Sequence, residues 1–204
     1  MTLFALVVRN LQNVYGGPHY GTEYAMVKAC LKCGTGAEQA GPLRLRRFAM
    51  PAAEMFLTLD DEVLVRPALA ERLRAEGVAC LDVVLDAQSG SALDVFQLRT
   101  EATLPPFAPG TAGVARERPC TVCGRDGHYG IPHEPYRFVY DKLEDALLSK
   151  DALATYERFG TSVLREPFSD SVLATPVTIV GRRIATLLKA AKVRSVELEP
   201  VRLF

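Results

Sequence analysis

The apolar residues of this chain fall into short runs of the length that is typical of buried strands. Two such runs lie 90 positions apart, so that Leu3 in the first corresponds to Leu93, the residue just before the second. Four more apolar runs lie on either side of two segments whose apolar residues recur at helical spacing. The predicted strands are Leu3–Val8, Glu62–Val65, Val78–Leu85, Asp94–Leu98, Pro176–Val180 and Val193–Leu198.

Two segments repeat apolar residues every three to four positions, which predicts amphipathic helices. In the first, Pro67 suits an opening helical turn and Gly77 suits a left-handed stop. Each predicted helix lies between two predicted strands, which gives two strand–helix–strand units. The apolar positions are Leu69, Ala70 and Leu73 in the first helix, and Ile184, Leu187, Leu188 and Ala191 in the second.

A third helical pattern is expected at about 140–160, before the second unit. Tyr140–Leu148 begins a helix, with acidic residues near its start where the helix dipole favours them, and Asp151–Phe159 continues or restarts one. Gly160 ends the pattern. We interpret this segment as a helical insertion that packs on the sheet.

Four of the five cysteines lie in two identical frames, CLKCG at 30–34 and CTVCG at 120–124, which we call the first and second knuckle. A two-residue gap allows both thiolates of one turn to reach a single ion at about 2.3 Å. The glycine supplies the positive φ of a turn whose amides point at sulfur. We therefore predict a closed, structural zinc site with the ligands Cys30, Cys33, Cys120 and Cys123.

Other interpretations of the cysteine pairs remain open at this point. The pairs could lie apart or have lost their metal, or one could serve a thioredoxin-like redox role. A shared ion would close a long loop between Cys33 and Cys120 and remove several kcal/mol of entropy from the unfolded chain, as a disulfide does.

The repeated order of elements predicts the fold class. We expect an α/β (α+β) protein of two similar strand–knuckle–strand–helix–strand lobes, joined by a four-cysteine, zinc-ribbon-like site. Residues 1–204 would form one unit, with pseudo-repeat halves at about 1–90 and 91–204 and the helical insertion in the second half. Similar periodicity in unrelated strand–helix–strand units is the alternative to an internal duplication.

Other candidate side chains are fewer. His128 and His133 lie in a glycine- and proline-rich segment that predicts a loop, where surface positions are a simpler interpretation than metal binding. Cys80 lies in an apolar strand and is expected to be a small buried residue. A basic cluster at Arg44, Arg46 and Arg47 suits a solvated strand face.

Composition narrows the function classes. The 204 residues are 49% hydrophobic and carry 24 basic and 24 acidic side chains, so the formal net charge is zero. That balance disfavours disorder and a protein whose main task is to bind nucleic acid phosphates. The first apolar run, Leu3–Val8, is too short for a membrane helix or a signal peptide, so we expect a cytosolic protein with no membrane partner.

With its paired CxxCG motifs, CLKCG and CTVCG, the chain resembles the double-CxxCG proteins of gliding, swarming soil bacteria. Its ending, Val177–Leu203 with the segment VELEPV, also looks like that family's closing strand–helix–strand. Some members are named as immunity proteins for swarm-inhibition toxins. The resemblance implies a protein that binds and neutralises a cognate toxin in the producer's cytosol, and it maps only the four knuckle cysteines, as metal ligands.

Two further functions are weighed against this expectation. A zinc-ribbon module in a nucleic-acid or transcription assembly would show salt-dependent binding to DNA or RNA. A metal-dependent enzyme would use His128, His133 and Glu134 near the second knuckle. Since phosphate-binding glycine loops, GxSxG elbows and HExxH pairs are all missing from the sequence, we expect no enzyme.

Overall fold

A computed structural model describes residues 2–85, 92–100 and 102–204 of the chain. The boundary that we predict between the two halves, near residue 90, lies outside these residues. The described residues form an α+β structure, mostly strands. The strands are β1 (Leu3–Val8), β2 (Tyr24–Ala25), β3 (Glu38–Gln39), β4 (Leu43–Leu45), β5 (Met55–Leu57), β6 (Val63–Val65), β7 (Cys80–Leu85), β8 (Ala92–Leu98), β9 (Ala102–Thr103), β10 (Val114–Arg116), β11 (His128–Gly130), β12 (Val139–Tyr140), β13 (Ala152–Ala154), β14 (Thr178–Gly181) and β15 (Val196–Leu203), and the α-helices are α1 (Pro67–Ala75), α2 (Asp145–Leu148) and α3 (Arg182–Ala190).

Two large sheets contain most of the strands. One has six strands in the order β12-β15-β1-β14-β13-β9, and the other has five in the order β4-β7-β8-β6-β5. Each is built around one strand–helix–strand unit, β6–α1–β7 or β14–α3–β15, as the sequence predicts. Pro67 opens α1 as expected.

The central strand of each unit comes from the other half of the chain. β1 lies between β14 and β15 and is antiparallel to both, whereas β8 lies between β6 and β7 and is antiparallel to both. The two halves therefore exchange their first strands. The order strand–knuckle–strand–helix–strand occurs in each half as predicted, but the two joined lobes that we expect do not anticipate this exchange of strands.

The exchange joins the two units through a shared apolar core. Alternate residues of β1 face different sides of its sheet, so Leu6 and Val8 pack in the core that contains the buried faces of α1 and α3. Leu3 and Ala5 face a second core with Phe138. A third core lies on the opposite side of the five-stranded sheet. One core therefore contains the buried faces of both helices and residues of both large sheets.

The predicted helical insertion at about 140–160 is largely wrong. Only the four residues of α2 are helical, and residues 152–154 form β13. β13 lies between β14 and β9, and all three of its residues are buried. Pairing on both sides in the sheet outweighs the helix preference of its alanines and leucine.

Each knuckle lies in the connection of a short antiparallel hairpin. β2 and β3 flank the first knuckle, and β10 and β11 flank the second. Tyr24–Ala25 and Val114–Ala115 are separated by 90 residues, as are Cys30 and Cys120. The offset of 90 residues in the sequence is therefore also present in the structure, where it relates two similar cysteine-containing turns.

Candidate metal centre

The four predicted cysteines come together although 90 residues separate the two knuckles. The Sγ atoms of Cys30 and Cys120 are 3.9 Å apart, and those of Cys33 and Cys123 are 3.6 Å apart. All four sulfur atoms lie within 4.8 Å of one another. Four sulfurs at the corners of a tetrahedron around zinc, each about 2.3 Å from the ion, are about 3.8 Å apart. The spacing therefore fits one tetrahedral ion, and four thiolates match the ligands of closed structural zinc sites.

Each knuckle is closed by a backbone hydrogen bond and a glycine. The Gly34 amide donates to the Cys30 carbonyl at 2.8 Å, and the Gly124 amide donates to the Cys120 carbonyl at 2.9 Å. Both glycines have a positive φ, 79° and 63° respectively. A side chain at either position would be strained, because L residues rarely adopt this conformation. The glycine after each CxxC pair is thus required by the turn.

Backbone amides point at the sulfurs and give the thiols different acidities. Hydrogen bonds from the amides of Cys123 and Val122 lower the pKa of Cys120 to about 7. Burial raises the pKa of Cys33 to about 12 and also raises that of Cys123, although amides of Thr35 and Arg125 oppose the two shifts. A cation would hold every ligand as the thiolate, and these amides would then donate to negatively charged sulfur.

A buried carboxylate supports the second knuckle. Asp126 is 1% exposed, and its Oδ1 accepts the Cys120 amide at 2.7 Å while its Oδ2 accepts the Ser162 amide at 3.1 Å. The Ser162 hydroxyl accepts from Thr35 Oγ1 at 2.9 Å and from the Ala174 amide at 2.8 Å. Thr35 in turn accepts from the Cys33 thiol at 3.1 Å. One network therefore connects both knuckles to the segment around residues 162–174.

Of these supporting residues, only Thr35 has a signal in the sequence. Thr35 follows the first knuckle, so its place beside a ligand is readable from the motif. Ser162 is 127 residues from Thr35, and no spacing relates them. Asp126 follows the second knuckle by two residues, but an aspartate there looks like an ordinary loop residue until the structure shows that it is buried.

The two histidines and Glu134 lie outside the sulfur cluster. Among the described residues, the group of side chains close enough to share an ion contains the four cysteines and neither histidine. His128 belongs to β11 and not to a loop as expected, because it pairs with Arg116 of β10. Its ring packs on Phe159, and burial lowers its pKa. His133 and Glu134 are exposed, as expected for surface positions.

The other candidates lie apart from the cluster as well. Cys80 is buried in the core with α1 and α3, as expected of an apolar strand residue. Arg44 is partly buried in β4, and Arg46 and Arg47 are exposed beside it. Only the knuckle cysteines among the candidates are arranged for metal binding.

We expect zinc affinity to fall steeply in acid because the ion competes with protons for sulfur. Near pH 8, Cys33 and Cys123 must each release a proton on binding, since their pKa values are raised, whereas Cys120, whose pKa is about 7, is already mostly thiolate. Below pH 7, Cys120 is protonated as well, so zinc binding must release a further proton from it. Competition with a chelator of known affinity should give a plot of log K against pH that steepens below about pH 7. A plot that is flat between pH 8 and pH 6 would contradict thiolate ligation.

Comparison of this chain with models of protein families, with curated protein sequences and with solved structures found no match. In the ranges that the structure describes, no helix combines the length and the apolar character needed to cross a bilayer.

Proposed function

We propose that the protein is an immunity protein that binds and neutralises a cognate toxin in the cytosol, with one structural zinc ion between its knuckles. The observation that carries the proposal is the meeting of two distant CxxCG turns with the spacing of a tetrahedral S₄ site. Four thiolates leave no coordination position for a substrate, so the ion would stabilise a binding surface and not catalyse a reaction. The family resemblance of the paired motifs supplies the toxin as partner.

The tips of the knuckles are suited to protein contact. Leu31 is 90% exposed and Val122 is 69% exposed, each inside a CxxC pair, and Val27 just before the first pair is 96% exposed. Lys32 Nζ donates to Thr121 Oγ1 at 2.7 Å, which places the two tips side by side. Exposed aliphatic side chains that cluster on a rigid support are typical of interaction surfaces. We therefore assign the knuckle tips to the toxin interface.

Co-expression tests this function directly. A toxin gene from the neighbouring reading frame that kills when expressed alone should be harmless beside this protein. The double variant Leu31→Asp/Val122→Asp should lose protection and keep its melting temperature, because both side chains already face solvent. Leu81→Asp, at an exposed aliphatic residue of β7, is the matched control and should still protect.

Continued killing in the presence of the unmodified protein would contradict the immunity function. Protection by the double variant would exclude the knuckle tips as the interface but not the function itself. A gel shift with DNA or RNA that weakens as salt rises would instead favour the nucleic-acid module that the knuckles also suggest.

A further inference from the structure

A polar cleft beside the knuckles has properties of a ligand site. Its volume is about 950 Å³, and residues from both large sheets and from the β2–β3 hairpin line it. Pockets of this volume accommodate small molecules and short peptides. Its walls carry opposite charges, and neither set of charges is needed for the sulfur cluster.

The acidic wall is the turn between β5 and β6, which contains Asp60, Asp61 and Glu62. Burial raises the pKa of each of these carboxyl groups. Gln97, which is 1% exposed, donates to Glu62 Oε2 at 2.7 Å and fixes that side chain. Asp60 accepts the Gly16 amide at 3.1 Å. Hydrogen bonds thus hold Asp60 and Glu62, and the side chains of Asp60 and Asp61 are exposed.

The basic wall consists of Arg99, Arg125 and Arg158. The Arg125 guanidinium lies 4.2 Å from the centre of the Tyr156 ring and donates to the Tyr156 carbonyl at 3.2 Å, so its position is fixed. Arg158 Nε is buried and has no hydrogen-bond partner among the described residues. Burial, with the positive charge of Arg125, lowers the pKa of Arg158 to about 10. Because this Nε atom is not accessible from the cleft, Arg158 contributes its positive charge to the wall, whereas Arg99 and Arg125 are the side chains available to donate to a bound anion.

The acidic and the basic side chains line the same cleft. The charge of Arg99 acts on the pKa of Glu62, and the charge of Glu62 acts on that of Arg158. Within the described ranges, however, no ion pair joins the acidic and the basic side chains. A simple anion would be attracted by one wall and repelled by the other. A ligand with separated charges of both signs would be attracted by both.

We propose that this cleft binds a zwitterionic amino acid or short peptide, with its carboxylate at the arginines and its ammonium group at the Asp60–Glu62 turn. The carboxylate accepts hydrogen bonds from the guanidinium groups of Arg99 and Arg125, and the ammonium group donates to the carboxylates. This site goes beyond the proposed toxin interface, and it requires no toxin to be detected.

Titration of the zinc-loaded full chain with glycine, diglycine and triglycine tests the proposal, because the three probes differ mainly in the distance between their charged ends. The matched controls are triglycine amide, which lacks the anion, N-acetyltriglycine, which lacks the cation, and N-acetyltriglycine amide, which lacks both. Calorimetry gives the affinity, and amide chemical shifts of the ¹⁵N-labelled protein locate the site. We expect at least one zwitterion to bind with a Kd of about 1 mM or less and at least tenfold more tightly than its capped analogues.

Variants on both walls connect the binding to the cleft. Arg99→Gln and Asp61→Asn should each weaken zwitterion binding by about tenfold or more. Arg47→Gln and Asp141→Asn change exposed charges outside the cleft and should leave it unchanged. Arg158→Gln removes a third positive charge from the cleft and should also weaken binding, and Arg99→Gln and Asp61→Asn keep the test valid if that variant fails to fold.

The probes also distinguish the two sources of the ligand. Tightest binding of glycine indicates a free amino acid, and tightest binding of triglycine indicates a peptide. The proposal is overturned if no zwitterion binds at about 10 mM, or if the capped analogues bind equally well. Because toxin protection is measured separately, failure here leaves the immunity function standing, and failure of protection leaves this site standing.

Discussion

Replacing Cys33 by serine should release the zinc and lower the melting temperature by about 5 °C or more. Cys33 is 4% exposed and its sulfur lies 3.6 Å from that of Cys123, so its loss breaks the tetrahedral set from within. The ion would connect segments 90 residues apart, and freeing them restores several kcal/mol of chain entropy to the unfolded state. Differential scanning calorimetry with a metal assay on the same sample measures both effects.

Cys80→Ala is the matched control for this experiment. It also removes a buried thiol, but in the core against α1 and α3, so it should cost about 1 kcal/mol through lost packing and retain the zinc. Chelation of the unmodified protein should reproduce the effect of Cys33→Ser. Equal melting curves with and without chelator would contradict a stabilising metal.

Asp126→Ala is expected to have the second large effect, about 2–4 kcal/mol of unfolding free energy. The carboxylate is fully buried and accepts amides from Cys120 and Ser162, which would both lose their partner. Such unsatisfied buried donors carry the full cost of their desolvation. Urea denaturation at neutral pH measures the loss, and a chelator competition should show weaker zinc binding because the second knuckle loses its support.

The variants Asp126→Asn and Asp141→Asn remove the same charge, one at the buried aspartate of the network and one at an exposed aspartate. The asparagine at 126 keeps one acceptor but presents an amide donor to a backbone N–H, so it should cost somewhat less than alanine. Asp141 is exposed, and its replacement should change stability by less than about 0.5 kcal/mol. If Asp126→Ala were as stable as the unmodified protein, the network between the knuckles would have no structural role.

The sequence predicts those parts of the structure that depend on residues close together in the chain. Two CxxC pairs followed by Gly34 and Gly124 predict two similar turns, and both occur with their positive φ angles. The helices α1 and α3 are also predictable, because their apolar faces recur with helical period and flanking strands limit their length.

Strand partners are harder to predict because they depend on non-local pairing. β1 and β8 are both short apolar strands, and either could lie in the centre of either unit; nothing in their patterns predicts that they exchange. Residues 152–154 show a related ambiguity. A strand buried on both faces has a continuous apolar run, which periodicity does not distinguish from a buried helix.

Buried polar support for the site is the least predictable part. Asp126 and Ser162 are of types that usually lie at the surface, and only the fold places them against the knuckles. The cleft arginines have the same property, since Arg99, Arg125 and Arg158 come from three separate segments. Sequence spacing predicts ligands within a turn but not charges that meet across a fold.

X-ray absorption at the zinc edge, combined with the metal content of the purified protein, tests the central claim most directly. Two distant cysteine turns that share one ion should give one zinc per chain with four sulfur neighbours at about 2.3 Å and no nitrogen or oxygen in the first shell. Zinc well below one per chain, or a shell with fewer than four sulfurs, would contradict the shared site.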